Sequence, residues 1–220
     1  MERQATHSDD ATTVGVARSF GALRASGGHL PAIFVLAMLV MIACGPVGSG
    51  EIITETRDIG EFDRIEISDG IVLDVTVDAA AGTVVESVYD NNLQERILTE
   101  VDGDTLVIRG SGLGSFDVLG SGRMIEVTIP SLSGLVISGG SRVIGSGAIE
   151  TLILEADGGA TTDLSGLIVH TMHVDVSGGA RATVNVTDTI DGEVSGGAIL
   201  GVQGEPGSRD LDVNSGARVE

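Results

Sequence analysis

An all-β chain built as a parallel β-solenoid is predicted, and three observations predict it. A Gly-Gly-centred tetrad recurs about every 19 residues through the C-terminal half; apolar residues alternate with polar ones on both sides of each tetrad; and aromatic residues are nearly absent. Only five of the 220 residues are aromatic, whereas 33 are glycine. A core made of Val, Ile, Leu and Ala with many glycines suits thin stacked layers better than a bulky globular interior.

The tetrads are Ser138-Gly139-Gly140-Ser141, Asp157-Gly158-Gly159-Ala160, Ser177-Gly178-Gly179-Ala180, Ser195-Gly196-Gly197-Ala198 and the degenerate Asn214-Ser215-Gly216-Ala217. Two residues before the first glycine, or before Ser215 that replaces it in the last copy, stand Ile137, Ala156, Val176, Val194 and Val213. Four before it stand Leu135, Leu154, Val174, Gly192 and Leu211. Two after it, the side chain is always small: Ser141, Ala160, Ala180, Ala198, Ala217. Period-2 patterning carried through a corner places these residues inside. A helix is excluded by the period and the glycines. A sandwich or up-and-down barrel would also alternate, but it would not require the same small residue after the same Gly-Gly in every copy. Stacked coils do, because equivalent residues form ladders, so Gly139, Gly140, Gly158, Gly159, Gly178, Gly179, Gly196, Gly197 and Gly216 are assigned as corners.

Upstream, residues 57–134 follow the plan less regularly. Strands are expected at Arg64–Ser68, Ile71–Val77, Thr83–Val88, Gln94–Val101, Thr105–Arg109 and Met124–Ile129, with a hairpin turn at Asp102-Gly103-Asp104. Gly110–Gly122 is expected to be an inserted loop, and this first part to be partly antiparallel, as an N-terminal cap.

The segment before the repeats reads as an address. Leu30–Ala43 is an uncharged apolar run of 14 residues, short of the roughly 20 that a bilayer-spanning helix needs. Arg18 and Arg24 precede it, and it ends at Ala43-Cys44-Gly45, which resembles a bacterial lipoprotein signal. Residues 1–43 are expected to be a signal peptide, Cys44 the lipid-attachment residue, 44–56 a flexible linker, and 57–220 the folded domain. The alternative is an uncleaved signal anchor. Cys44 is the single cysteine, so an intramolecular disulfide is excluded.

With these residues in view, the chain resembles the bacterial family described as putative auto-transporter adhesin, head GIN domain. The resemblance rests on Arg57…Phe62-Asp63-Arg64-Ile65, Gly70-Ile71, Asp102-Gly103-Asp104-Thr105-Leu106-Val107-Ile108, Ile125–Leu132 and the serial Ser-Gly-Gly-Ser/Ala tetrads. It implies a right-handed parallel β-helix on the envelope surface, exported behind a signal or lipoprotein peptide, and it transfers no catalytic residues.

Chemistry is sparse. The formal charge of −20 repels phosphate backbones, so nucleic acid is excluded as a partner. The acidity fits solubility outside the cell; divalent-cation binding is the alternative, but no Asp/Glu spacing converges several oxygens on one point. His170 and His173, three apart in a strand, are expected on opposite faces and not as joint metal ligands. No serine stands in a nucleophile elbow, and without Trp or Lys the chain lacks most parts of a β-helix polysaccharide-degrading enzyme. Neither a catalytic residue, a metal site nor a cofactor is assigned. The expected function is that of a non-enzymatic envelope lipoprotein, anchored through acylated Cys44 to the outer membrane or cell surface, acting as adhesin or extracellular binding module. Two alternatives remain: a structural, self-assembling spacer that forms homo-oligomers through its C-terminal rung, and the polysaccharide-degrading enzyme.

Overall fold

The computed structural model describes residues 48–111 and 122–220. Cys44, the signal segment and most of the expected 110–122 loop lie outside the described residues. The described residues are all-β apart from a single 3-10 turn, Gln94–Arg96, and carry 14 strands joined in one sheet.

The C-terminal strands are β8 (Gly134–Ile137), β9 (Arg142–Ala156), β10 (Thr161–Val176), β11 (Arg181–Val194), β12 (Ile199–Gln203), β13 (Ser208–Val213) and β14 (Arg218–Val219). All pair in parallel, and their register equals the tetrad spacing: Arg142 lies beside Thr161, Thr161 beside Arg181, Arg181 beside Ile199, and Ile199 beside Arg218. Equivalent residues of successive repeats therefore stack directly. The inner columns are apolar. One runs Ile137, Ala156, Val176, Val194, Val213, and another Leu135, Leu154, Val174, Gly192, Leu211. Burial is complete in the middle of the stack and lessens at β13, where Val213 is exposed.

Each tetrad is a four-residue turn closed by a backbone bond from its fourth N–H to its first C=O, as in Ala180 N to Ser177 O at 3.0 Å. Both central residues have positive φ, such as Gly178 at 61° and Gly179 at 83°, the combination that type I′ turns require. The two glycines are not equivalent. A Cβ on Gly178 would lie 2.9 Å from the Gly158 backbone nitrogen of the preceding turn, whereas one on Gly179 would meet nothing within 4 Å.

The N-terminal strands are β1 (Ile52–Thr56), β2 (Arg64–Ile67), β3 (Val72–Val77), β4 (Val84–Asp90), β5 (Ile97–Asp102), β6 (Thr105–Gly110) and β7 (Met124–Ile129). Here chain order and spatial order part. β2 pairs in parallel with both β6 and β8, and β3 with both β7 and β9. The first rung of the chain is thus enclosed between two later ones. Ser68-Asp69-Gly70-Ile71 forms a corner in line with the tetrads: Asp69 and Gly70 have φ of 64° and 76°, and Gly70 N donates to Ser141 Oγ at 3.1 Å. That bond explains why the first tetrad ends in Ser and the others in Ala.

Two expectations are corrected. Residues 52–56, read as linker, form β1, antiparallel to β4; Gln94–Arg96, read as strand, is the 3-10 turn. The hairpin at 102–105 and the antiparallel character of the first part are observed: β5 pairs antiparallel with β6, and β4 with β7. A buried polar network holds these added strands. The Asp90 side chain is fully buried and bonded by Arg123 and by Gly50 N; the Arg123 guanidinium holds its carboxyl below the usual carboxylate range. Gln94 accepts from Ser87 Oγ at 2.6 Å and Arg57 Nη2 at 3.0 Å, and donates to Ile53 O and Ser87 O.

Candidate functional site

The outward side chains on either side of the turn edge form two columns of opposite character, because parallel in-register pairing copies each position from rung to rung. Before the turn stand Glu155, Asp175, Glu193 and Asp212, all exposed and all direct neighbours across β9, β10, β11 and β13. At a strand spacing of about 4.8 Å they form a ladder of like charges. After the turn stand Val72, Arg142, Thr161, Arg181, Ile199 and Arg218, with an arginine at every second rung. These three arginines are exposed, and among the described residues their side chains make no hydrogen bond or ion pair; their backbone N–H groups donate to the neighbouring rung. The next outward position on β10, Asp163, accepts from both Ser165 N and Ser165 Oγ, which lowers its pKa and turns its carboxylate into its own turn.

His170 and His173 both reach solvent, contrary to simple alternation. The strand phase breaks at His170-Thr171, where β11 carries a bulge between Val186 and Thr189. Each histidine then meets a carboxylate of the next rung: His173 Nδ1 bonds Asp191, and His170 Nδ1 lies 3.1 Å from Thr187 Oγ1 and 3.5 Å from Asp188. The two are not brought together on one ligand. Among the described residues, no three His, Cys, Asp or Glu side chains are grouped to hold a metal ion.

Open concavities are found among the described residues. A cavity of about 480 Å³ is lined by Glu61, Phe62, Asp63, Gly82, Asp104 and Pro130, and one of about 310 Å³ by Pro130, Leu132, Ala148 and Ile149. No described helix is long and apolar enough to cross a membrane.

The sequence points to the turn glycines and allows Asp175 and Asp212 to align along one face, but it does not by itself single out the full columns beside the turns. The acidic column has a signal in the sequence, since Glu155, Asp175, Glu193 and Asp212 stand at the same offset before four of the five tetrads, Val136 taking that place in the first. Gly192 lies in an inner column between Val174 and Leu211. It has φ of 130°, and a Cβ there would lie 1.9 Å from Val174 O, the closest of the described glycines.

A stack of parallel strands with repeated outward columns and apolar inner ones defines an all-β protein that presents a surface rather than a cleft. The family described as putative auto-transporter adhesin, head GIN domain, matches residues 61–152 and again 135–206, and the chain belongs to it. Among solved structures it is similar to a putative adhesin of Bacteroides fragilis, at 18% identity and a TM-score of 0.48, over 80% of this chain and 99% of that one. It is also similar to a putative adhesin of Parabacteroides merdae, at 13% identity and a TM-score of 0.41, over 80% and 98%. A third is a putative lipid binding protein of Parabacteroides distasonis, at 14% identity and a TM-score of 0.39, over 79% and 98%. No curated protein matches the sequence.

Proposed function

We propose that the chain is a non-enzymatic adhesive module on the bacterial cell envelope, tethered through lipidated Cys44, with its strands coiled as a right-handed β-helix. The observation that carries the adhesive reading is the pair of outward columns flanking the turn edge, with a carboxylate on each of four successive strands on one side and an arginine on every second strand on the other. Such a surface presents many identical weak contacts, and linked weak contacts give avidity without a deep pocket. Membership in an adhesin-described family agrees with this reading and with an envelope location. Right-handed winding is supported by the parallel pairings, since crossovers between parallel strands of one sheet are right-handed in nearly all proteins.

The test is adhesion itself. Beads coated with the purified protein are expected to bind host matrix, glycan arrays or sister cells above an uncoated control; a blank result across all three would overturn the reading. Non-enzymatic action predicts no turnover of acidic polysaccharides, with or without Ca²⁺. Cys44→Ser is expected to move the protein from membrane to soluble fractions, because acyl chains contribute about 0.8 kcal/mol per buried CH₂. Retention in the membrane would favour an uncleaved anchor.

A second reading is self-association through the C-terminal rung. It is favoured by β13 and β14, each of which has one strand neighbour among the described residues. Against it stands Arg209, which continues the inner column of Leu152, Met172 and Ile190. A charge in an inward position at a sheet edge discourages further pairing. Light scattering at high concentration decides between them.

A further inference from the structure

Arg142, Arg181 and Arg218 share one outward column. Acidic residues outnumber basic ones by 32 to 12, yet among the described residues these three arginines find no carboxylate. Three other described arginines have carboxylate partners, Arg57 with Glu55, Arg109 with Glu100 and Arg123 with Asp90, whereas Arg64, Arg96 and Arg209 have none among the described residues. Register keeps the three free. Their column neighbours Thr161 and Ile199 are uncharged, and Asp163 is engaged by Ser165. The arginines therefore stand alone in one line, two rungs apart, at a spacing of about 9.5 Å.

We propose that this column is a binding track for an extended acidic polysaccharide, each arginine taking one carboxylate or sulfate. The inference rests on the adhesive reading and names its ligand class. Guanidinium groups recognise carboxylate and sulfate oxygens with two parallel N–H donors. An acidic polysaccharide such as heparin repeats each of its carboxylate and sulfate positions once per disaccharide, at a wide, regular interval. A nucleic-acid strand does not, with a phosphate every 3.4 Å or so, and its bases would need aromatic platforms. The described aromatic side chains, Phe62 and Tyr89, are buried. Half-buried Thr161 and Ile199 leave a low floor between the arginines, with a hydroxyl for sugar hydroxyls and an apolar surface for a ring face. The overall charge of −20 opposes a polyanion at long range, but at physiological salt the field is screened beyond about 8 Å. Local contacts then decide.

The experiment uses the full chain and four probes: heparin oligosaccharides, dextran of similar length, single-stranded oligothymidylate, and phosphatidylglycerol vesicles. At 0.15 M salt, heparin is expected to bind and the other three are not. Replacing all three arginines by serine is expected to weaken heparin binding about tenfold or more, since exposed charge contacts are individually modest. Arg209→Ser, outside the column, is expected to change it less than about twofold. A register variant, Thr161→Arg with Arg181→Thr, keeps the charge but breaks the interval, and is expected to weaken binding also. Unchanged melting temperatures confirm that folding is intact, and Arg181→Ser alone serves if the triple variant misfolds. Absence of heparin binding, indifference to the triple substitution, or equal arginine-dependent binding to vesicles or oligothymidylate overturns the proposal. If coated beads still adhere to cells when heparin binding is absent, adhesion stands and only the ligand class fails. If they adhere to nothing, the adhesive reading itself fails.

Discussion

The two ends of the sheet are held by different means. From β8 onward, order comes from repetition: parallel register, apolar columns and turns whose glycines allow one backbone to lie close on the next. From β1 to β7, order comes from particular side chains. Three antiparallel pairings are fastened by Asp90–Arg123 and by the bonds of Gln94 to three separate segments. The contrast teaches that the repeats set only the stacking distance. Where the chain leaves the repeat, it needs satisfied buried polar groups to specify one arrangement, because a partly bonded network would be worse than an apolar core.

If that division is right, the repeat region should fail on added carbon and the first region on lost charge. The largest effect is expected at Gly192. Its φ of 130° and the 1.9 Å approach of a Cβ to Val174 O leave no room even for alanine. Gly192→Ala should destabilise the fold by about 3 kcal/mol or more, read by urea unfolding. A loss under about 1 kcal/mol would mean that β11 can lift from β10 freely.

Asp90 gives the matching test at the other end. Arg123→Ala leaves a buried carboxylate without its cation and should lose about 3 kcal/mol. The pH dependence has a definite sign. Asp90 has its pKa lowered in the fold, chiefly by the Arg123 bond, so its stabilisation is present above the unfolded carboxylate value and fades as pH falls through the folded one. Below about pH 4, wild-type stability should therefore decline relative to Asp90→Asn. Asp163, lowered by its bonds to Ser165, contributes in the same direction. Parallel pH profiles for wild type and Asp90→Asn would remove the pair from the account of how the first region is held.

The turn glycines sharpen the comparison within the repeat region. Gly178→Ala meets both a positive φ and the Gly158 nitrogen at 2.9 Å, whereas Gly179→Ala meets only the φ. Losses of about 2–3 and about 1 kcal/mol are expected, respectively. Equal losses would show that conformation alone, and not stacking contact, sets the glycine requirement.

How legible this was follows from the same division. Tetrad spacing carried the register, since a parallel neighbour must repeat the same offset; Arg142, Thr161, Arg181, Ile199 and Arg218 could be aligned by counting. The outward columns follow from that alignment: Asp175 and Asp212 can be aligned on one face from the sequence, where solvated charge is their ordinary reading, whereas the arginines, two rungs apart, stand out as a column only from the pairing. The placing of β2 and β3 between later rungs was not legible: the partners of Arg64 are Thr105 and Gly134, and no local period links them. Asp69-Gly70 hid the sixth corner because Asp can occupy a positive φ where no repeating turn lies beneath it, and there its carboxylate accepts from Gly110 N. The strand at Ile52–Thr56 was concealed by its neighbours, since Gly-Pro-Val-Gly-Ser-Gly just before it reads as tether.

The smallest expected effect runs the other way. Thr162 occupies an inner column between Val143 and Ala182, is 2% exposed, and its hydroxyl has no hydrogen-bond partner among the described residues. A buried hydroxyl without a partner is destabilising, and valine has nearly the same shape. Thr162→Val should therefore raise stability by about 1 kcal/mol, seen as a higher urea midpoint at unchanged slope. If stability falls instead, the hydroxyl is satisfied by a bound water, and the repeat region would, at this rung, depend on a specific polar contact just as the first region does.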